Sequence, residues 1–267
     1  MSEVIAVINQ KGGVGKTTTV ANLSFGLANL GKKVLAIDLD PQSNLTAHLG
    51  CFNYEDISLE DLDSLSPPTI YEVLKGQKTL EEVICKVKNF DLVRSSLLLA
   101  AADLEFSGFV GRELLLTRSL QSVRDNYDLV IIDCPPNLGL LSLNALVAST
   151  DVIIPVQSEF LSLFGVRQLL DTIEQVKKIY NPNLKLRGVL VTMFDKRKKL
   201  SKVVLETIQN YFGELVFSTI IHENVTLAEA PSKGSCIFEY APKSQGAEDY
   251  LQLCMELINA KENLLSA

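Results

Sequence analysis

Hydrophobic positions along this chain fall into two kinds of pattern that alternate from one end to the other. Short unbroken apolar runs occupy Val4–Ile8, Lys33–Ile37 (after a stop at Gly31), Leu129–Ile132, Asp151–Gln157 and Leu186–Thr192. Runs of this length, built mainly from branched aliphatics, predict strands buried on both faces. Phe90–Arg94 reads as a shorter strand and Leu215–Ile221 as a further one. Between them lie stretches with helical spacing: Val20–Ala28, Thr69–Leu74, Leu80–Val87, Arg112–Asp125, Leu138–Ala148, Gly165–Tyr180, Leu200–Tyr211 and Gly246 to about residue 265. In Arg112–Asp125 the inward face is Leu114, Leu115, Leu116, Leu120 and Val123. Alternating strands and helices predict an α/β fold: one domain over residues 1–267, with a mostly parallel sheet of seven to eight strands and helices on both faces. Residues 51–89 fit least. They are acidic from Glu55 to Asp63, are interrupted by Pro67-Pro68, and read as a variable surface insertion. Pro155 is unusual for the middle of a central strand.

Composition narrows the class. With 267 residues, 47% of them hydrophobic, the chain can bury one large core. A net charge of −7 repels nucleic acid and anionic lipid on average, so DNA contact requires a local basic patch. The five cysteines, Cys51, Cys85, Cys134, Cys236 and Cys254, include no C-x-x-C pair. That argues against a disulfide framework, a zinc site or an iron–sulfur cluster, and fits a reduced, cytoplasmic location. The start of the chain runs directly into a strand, without a signal peptide, and no apolar run approaches the ~20 residues of a membrane span. The last helix carries Glu248, Asp249, Glu256 and Glu262 against Lys261 alone, too acidic for a basic amphipathic membrane anchor.

The chemistry centres on Lys11 to Thr18, KGGVGKTT, between the first strand and the first helix. Strand, glycine loop and helix together form the context of a phosphate-binding P-loop. Gly12, Gly13 and Gly15 let the backbone approach a polyphosphate and turn N–H groups toward it, with Val14 and Thr18 contributing from within the same loop. The helix N-terminus behind the loop favours anions. Lys16 reaches the β- and γ-phosphates and the Thr17 hydroxyl holds Mg²⁺. Two carboxylates, Asp38 and Asp40, close the second strand, and Asp133 closes the strand Leu129–Ile132 before Cys134-Pro135-Pro136. Carboxyl ends of parallel strands face the ligand. Asp133 therefore stands where an acid steadies magnesium directly or through water.

A second lysine, Lys11, opens the glycine loop, and the pattern resembles the ParA and MinD family of deviant Walker-A ATPases. The strings Asp38-Leu39-Asp40-Pro41-Gln42-Ser43-Asn44, Asp133-Cys134-Pro135-Pro136 and Asp151–Leu170 extend the resemblance over nearly the whole chain, closest to the small Soj type. Ser43 stands where many relatives carry glycine. The resemblance implies ATP and Mg²⁺ as cofactors and an ATP-bound homodimer in which Lys11 reaches the partner's nucleotide. It implies Lys11, Lys16 and Asp40 as catalytic residues, Asp40 placing the attacking water near the magnesium of Thr17 and Asp133. Asp38 is structural in this reading, or supports the site residues from behind. Thr192, Met193 and Pro231 fall where relatives contact the base.

Arg197, Lys198, Lys199 and Lys202 form a dense basic run at the start of a helix, where positive charge opposes the helix dipole. In DNA-binding relatives this neighbourhood touches phosphates. Glu223 and Thr226 occupy positions often basic there, and Lys233 and Lys243 partly compensate. The resemblance implies an ATPase that binds DNA non-specifically, works with a ParB/Spo0J-like centromere-binding partner, and is associated with the nucleoid. The region before Val4 is too short for an operator-reading helix-turn-helix. Three alternatives stand beside this one: a nucleoid-based positioning ATPase for another cargo, a MinD-like membrane-associated division-site regulator, and a metabolic enzyme of the same superfamily.

Overall fold

Alternate residues of the central strands enter two separate core layers, which is why those strands are apolar throughout. The computed structural model describes residues 2–51, 67–159 and 164–266. Among them are β1 (Glu3–Val7), β2 (Val34–Asp38), β3 (Ile84–Val87), β4 (Phe90–Val93), β5 (Leu129–Asp133), β6 (Asp151–Gln157) and β7 (Lys185–Thr192). They form one sheet in the order β3-β4-β2-β5-β1-β6-β7. Every pairing is parallel except β3 with β4. On one face Ile5, Val7, Ala36 and Ile131 meet α1 (Lys16–Asn29), α2 (Asn44–His48) and α12 (Gln245–Ser266). On the other, Ala6, Ile37, Ile132 and Ile154 meet a layer that includes α7 (Leu140–Ala148), α8 (Phe164–Ile179) and α9 (Lys199–Phe212).

The sheet keeps its proline in a central strand for a local reason. Ile8 donates its N–H to the Ile153 carbonyl, so residues 153 and 155 of β6 both face β1. β1 ends at Val7, and the Pro155 carbonyl is taken instead by the Asn9 side-chain amide at 2.7 Å. The N–H that proline lacks would point past the end of β1.

Three sequence expectations are corrected. Leu80–Val87 is not one helix: α4 stops after Leu80–Val83, and Ile84–Val87 turns through Lys88-Asn89 to pair with β4. Leu215–Ile221 is not a strand; within it only Val216 makes a bridge, to Val189, and the residue after it, His222, makes another to Phe194. Arg112–Asp125 breaks into 3₁₀ turns around the short α6 (Leu115–Leu120). The described part of 51–89 is also no mere surface elaboration. α3 (Ile70–Leu74) and α4 bury Ile70, Leu74, Leu80 and Val83 in the core. The acidic stretch from Glu55 to Asp63 lies outside the described residues.

Candidate functional site

The candidate phosphate and magnesium residues lie at the carboxyl ends of the parallel strands. The P-loop follows β1, Asp38 and Asp40 close β2, Asp133 ends β5, Gln157 ends β6, and Thr192 ends β7. Neighbouring strands run in opposite connection directions on either side of β1, the switch point at which open parallel sheets bind ligands.

The loop is shaped from both ends. Asn9, fully buried, accepts the Lys11 N–H at 3.0 Å while its amide grips Pro155, so β6 fixes where the loop begins. Gly13 (φ 73°) and Gly15 (φ 84°) take left-handed conformations, and Gly15 opens α1. A Cβ at Gly12 or Gly13 would meet no atom within 4 Å, so neither glycine is required by crowding. Thr192 donates its hydroxyl to the Val14 carbonyl at 2.9 Å. This residue, expected near the base, is committed to bracing the loop. Met193 beside it is exposed, with a left-handed φ of 51° unusual for a residue bearing a side chain. Ser158 holds the Met193 carbonyl at 3.0 Å.

Charge inside the site is unbalanced. Lys16, Asp38, Asp40 and Asp133 are all buried. The register pairs Asp38 of β2 directly with Asp133 of β5. Asp38 accepts from Thr46 N–H (2.8 Å), the Thr46 hydroxyl (2.7 Å) and Asp40 N–H (3.2 Å), which agrees with the structural role expected of it. Burial still raises its pKa to about 7. Asp133 is pushed well above the carboxylate range by burial and by the Asp38 charge. Burial depresses Lys16, against the pull of Asp133 and Asp40.

Thr17 donates its hydroxyl to Asp133 Oδ2 at 2.7 Å. Asp133 Oδ1 is buried and accepts no hydrogen bond from the described residues. An orphaned carboxylate oxygen beside a hydroxyl is a donor set suited to magnesium. Asp40 is carried on a rigid turn: its carboxylate accepts Gln42 N–H at 3.0 Å and its carbonyl accepts the Ser95 hydroxyl at 2.6 Å.

Lys11 does not turn into its own loop. Its ammonium lies 3.2 Å from Oε1 of Gln157, the last residue of β6, and 3.0 Å from Oε2 of Glu159 just beyond it. Its carbonyl accepts Lys16 Nζ at 3.3 Å.

The basic run is partly neutralised. Asp195 accepts Arg197 Nε and Nη2, both at 3.0 Å, and Lys198 pairs with Glu223 at 2.8 Å. The acid beside the start of α9 explains how positive charge is tolerated there. Lys199 and Lys202 form no ion pair with other described residues. Pro231 and Lys233 lie on a 3₁₀ turn, Ala230–Lys233, that ends at Gly234 against Gly50.

Sequence reasoning missed the braces. Asn9, Thr46 and Ser95 are buried polar residues, and Asp103 caps α7 by accepting Leu140 N–H at 2.7 Å. A Cβ at Gly139 would lie 2.6 Å from Asp103 Oδ2, so a side chain there would displace this cap.

The AAA domain family matches residues 2–186. The chain is 45% identical over 259 residues to the sporulation initiation inhibitor protein Soj of Bacillus subtilis (strain 168), covering 96% of this chain and 98% of that one. It is 44% identical over 255 residues to the chromosome-partitioning ATPase Soj of Thermus thermophilus, covering 95% and 94%. A crystal structure of cobyrinic acid a,c-diamide synthase from Mycobacterium smegmatis with bound ATP analog and magnesium superposes with a TM-score of 0.83 at 36% identity, covering 98% and 96%.

Proposed function

The chain belongs to the family of Soj and ParA partitioning ATPases, and from that membership we propose that ATP assembles it into a dimer that holds DNA until hydrolysis releases it. It is an ATPase that uses ATP and magnesium. The observation that carries the dimer reading is the placement of Lys11: a lysine inside the phosphate-binding motif that its own subunit directs outward, onto Gln157 and Glu159. Roles follow from position. The amides of Gly12, Gly13, Val14, Gly15 and Thr18, with Lys16, hold the phosphates, and burial of Lys16 strengthens its field on them. Thr17 and Asp133 hold magnesium, with Asp40 close by; the bound ion supplies positive charge where the phosphates are transferred. Asp40, fixed by Ser95 and Gln42, orients the attacking water. Lys11 enters the second subunit's site, where a cation acting in trans is worth ~10³–10⁵ in rate in related enzymes. Met193 and Pro231 flank the base.

DNA contact rests on Lys199, Lys202 and Lys233, with Arg197 and Lys198 available once they leave Asp195 and Glu223. Three phosphates neutralised per subunit give a log–log salt slope of ~−2.7. A ParB/Spo0J-like partner stimulates turnover, and the protein works at the nucleoid. DNA co-sedimentation with ATP, with ADP and without nucleotide, at two salt concentrations, tests the reading. DNA pelleting the protein equally in all three conditions, or in none, refutes it.

The likeness at 36% identity to cobyrinic acid a,c-diamide synthase of Mycobacterium smegmatis favours a second reading, a diamide synthase of that kind. The partitioning relatives match the chain at higher identity over nearly their full length, which makes partitioning the first choice. No helix among the described residues is long and apolar enough to cross a membrane.

A further inference from the structure

Beyond the phosphate loop, one buried hydroxyl holds the turn that follows β7. Ser158 lies between Gln157 and Glu159, the two residues that hold Lys11, yet it is itself buried. Its N–H donates to the Thr192 carbonyl at 3.1 Å, just past the last paired residues of β6 and β7, Gln157 and Thr192. Its hydroxyl donates to the next carbonyl along, that of Met193, at 3.0 Å. The same hydroxyl stands 3.4 Å from that of Ser201, also buried, in the first turn of α9. Ser158 thus grips two successive carbonyls.

On either side of Met193 the chain is tied to other elements. Thr192 is braced on the Val14 carbonyl of the phosphate loop at 2.9 Å. Phe194 donates its N–H to the Ile221 carbonyl at 3.1 Å and accepts the Glu223 N–H at 3.0 Å. Met193 is left to absorb the turn between these fixed points. It does so at φ 51°, a left-handed conformation that crowds a Cβ against the backbone. Its side chain is exposed, so packing does not hold it there. The bond from Ser158 does: turning the Met193 peptide back toward an ordinary conformation would leave a buried hydroxyl without its acceptor.

We propose that Ser158 is a positioning residue for nucleotide binding, which aims the Met193 side chain by holding its backbone left-handed; this rests on the proposed place of Met193 beside the base. Ser158 acts through Met193 and not on the phosphates. Its loss therefore weakens the hold on ATP while leaving the transfer step as it was.

The test is a double-mutant cycle on the full chain, read by steady-state ATP hydrolysis. Ser158→Ala is expected to raise KM for ATP ~3- to 10-fold, the worth of one hydrogen bond, with kcat changed less than ~2-fold. Met193→Gly removes the side chain and is also expected to raise KM, while glycine takes the left-handed turn without strain. Adding Ser158→Ala to Met193→Gly should then raise KM no further. Additive losses overturn the proposal, because Ser158 would be acting on the phosphate loop or on the fold at large. A fall in kcat with KM unchanged in Ser158→Ala overturns it for the same reason. A raised KM in Met193→Gly beside an unchanged KM and kcat in Ser158→Ala refutes the role of Ser158 alone. An unchanged KM in Met193→Gly removes the place of Met193 at the base, and the proposal with it.

Discussion

Replacing Glu159 with glutamine probes whether the hold of one subunit on its own Lys11 opposes dimerisation. The contact includes an ion pair at 3.0 Å, with side-chain exposures of 33% for Lys11 and 57% for Glu159. A pair this open to water contributes ~0.2–1 kcal/mol. A two-fold dimer in which each Lys11 moves to the other subunit's nucleotide breaks two such pairs, a cost of ~0.4–2 kcal/mol. At ~1.4 kcal/mol per decade, Glu159→Gln should tighten the nucleotide-dependent dimer ~2- to 30-fold. Gln157 still accepts from Lys11 in the variant, which favours the lower half of that range. The dimer constant is read by sedimentation velocity with a non-hydrolysable ATP analogue, at low salt and at ~0.5 M salt, where screening shrinks the difference. Glu174→Gln removes the same charge from a different exposed pair, with Lys177, and serves as the control. An unchanged or weaker dimer in Glu159→Gln, or an equal gain in Glu174→Gln, refutes the idea that Glu159 restrains Lys11.

Thr46→Val removes the hydroxyl that donates to Asp38 and accepts Ser95 N–H at 3.1 Å, both buried. The groups left unpaired should cost ~2–4 kcal/mol, read as a lowered urea midpoint at constant slope. The folded pKa of Asp38, about 7, lies above the ordinary 3.8, so the fold binds more protons than the unfolded chain between those values. Stability of the nucleotide-free protein therefore gains nothing from ionising Asp38, and this group's contribution falls from pH ~4 to ~7 and levels above it. Asp38→Asn should flatten that part of a urea stability–pH curve, and an unchanged slope counts against it. Glu223→Gln removes the shorter of the two ion pairs of Lys198, leaving Asp195 at 3.7 Å, and should steepen the salt slope of DNA binding from ~−2.7 toward ~−3.6 per subunit. No change in slope places Lys198 off the DNA.

What could be read from sequence was what depends on short, contiguous backbone. The glycine loop, Asp40 and Asp133 were legible because a strand end, a turn and a helix start lie within a few residues of each other. The two-face burial of the sheet was legible because it makes strands uniformly apolar. Leu80–Val87 was not. Its helix start is sound, with Glu82 bonded back to Thr79 N–H at 2.7 Å, but the apolar spacing after Val83 suits a strand equally well. The turn that decides the matter uses Lys88 at φ 57°, a residue with no turn signature. Leu215–Ile221 has the composition of a strand, yet it lies outside β7 and bonds to it only in places, through Phe217 N–H to Val189 and Ile221 N–H to Val191. Asn9 reaches across 146 residues to Pro155 and Ser95 across 55 to Asp40. Single polar side chains with such distant partners leave no local pattern, so the positions of the site residues were legible and their supports were not.

Those supports show why the site needs its ligand. Three carboxylates and one lysine are buried together, with Asp38 and Asp133 adjacent in register. The fold answers the Asp38 charge internally, with three donors. It leaves Asp133 half-answered, one oxygen bonded to Thr17 and the other to nothing described. Without a cation, protonation is the remaining way to relieve Asp133, which is the direction in which its pKa is driven. Lys16 faces the opposite penalty, desolvated without an anion. In the proposed complex a magnesium nucleotide would supply both missing charges at once, a cation for Asp133 and phosphates for Lys16. Binding therefore stabilises this edge of the sheet more than a contact tally would suggest. Lys11, held by Glu159, opens the loop that Lys16 closes, so the lysine that gains from the nucleotide and the lysine proposed to reach a second subunit are ends of one loop.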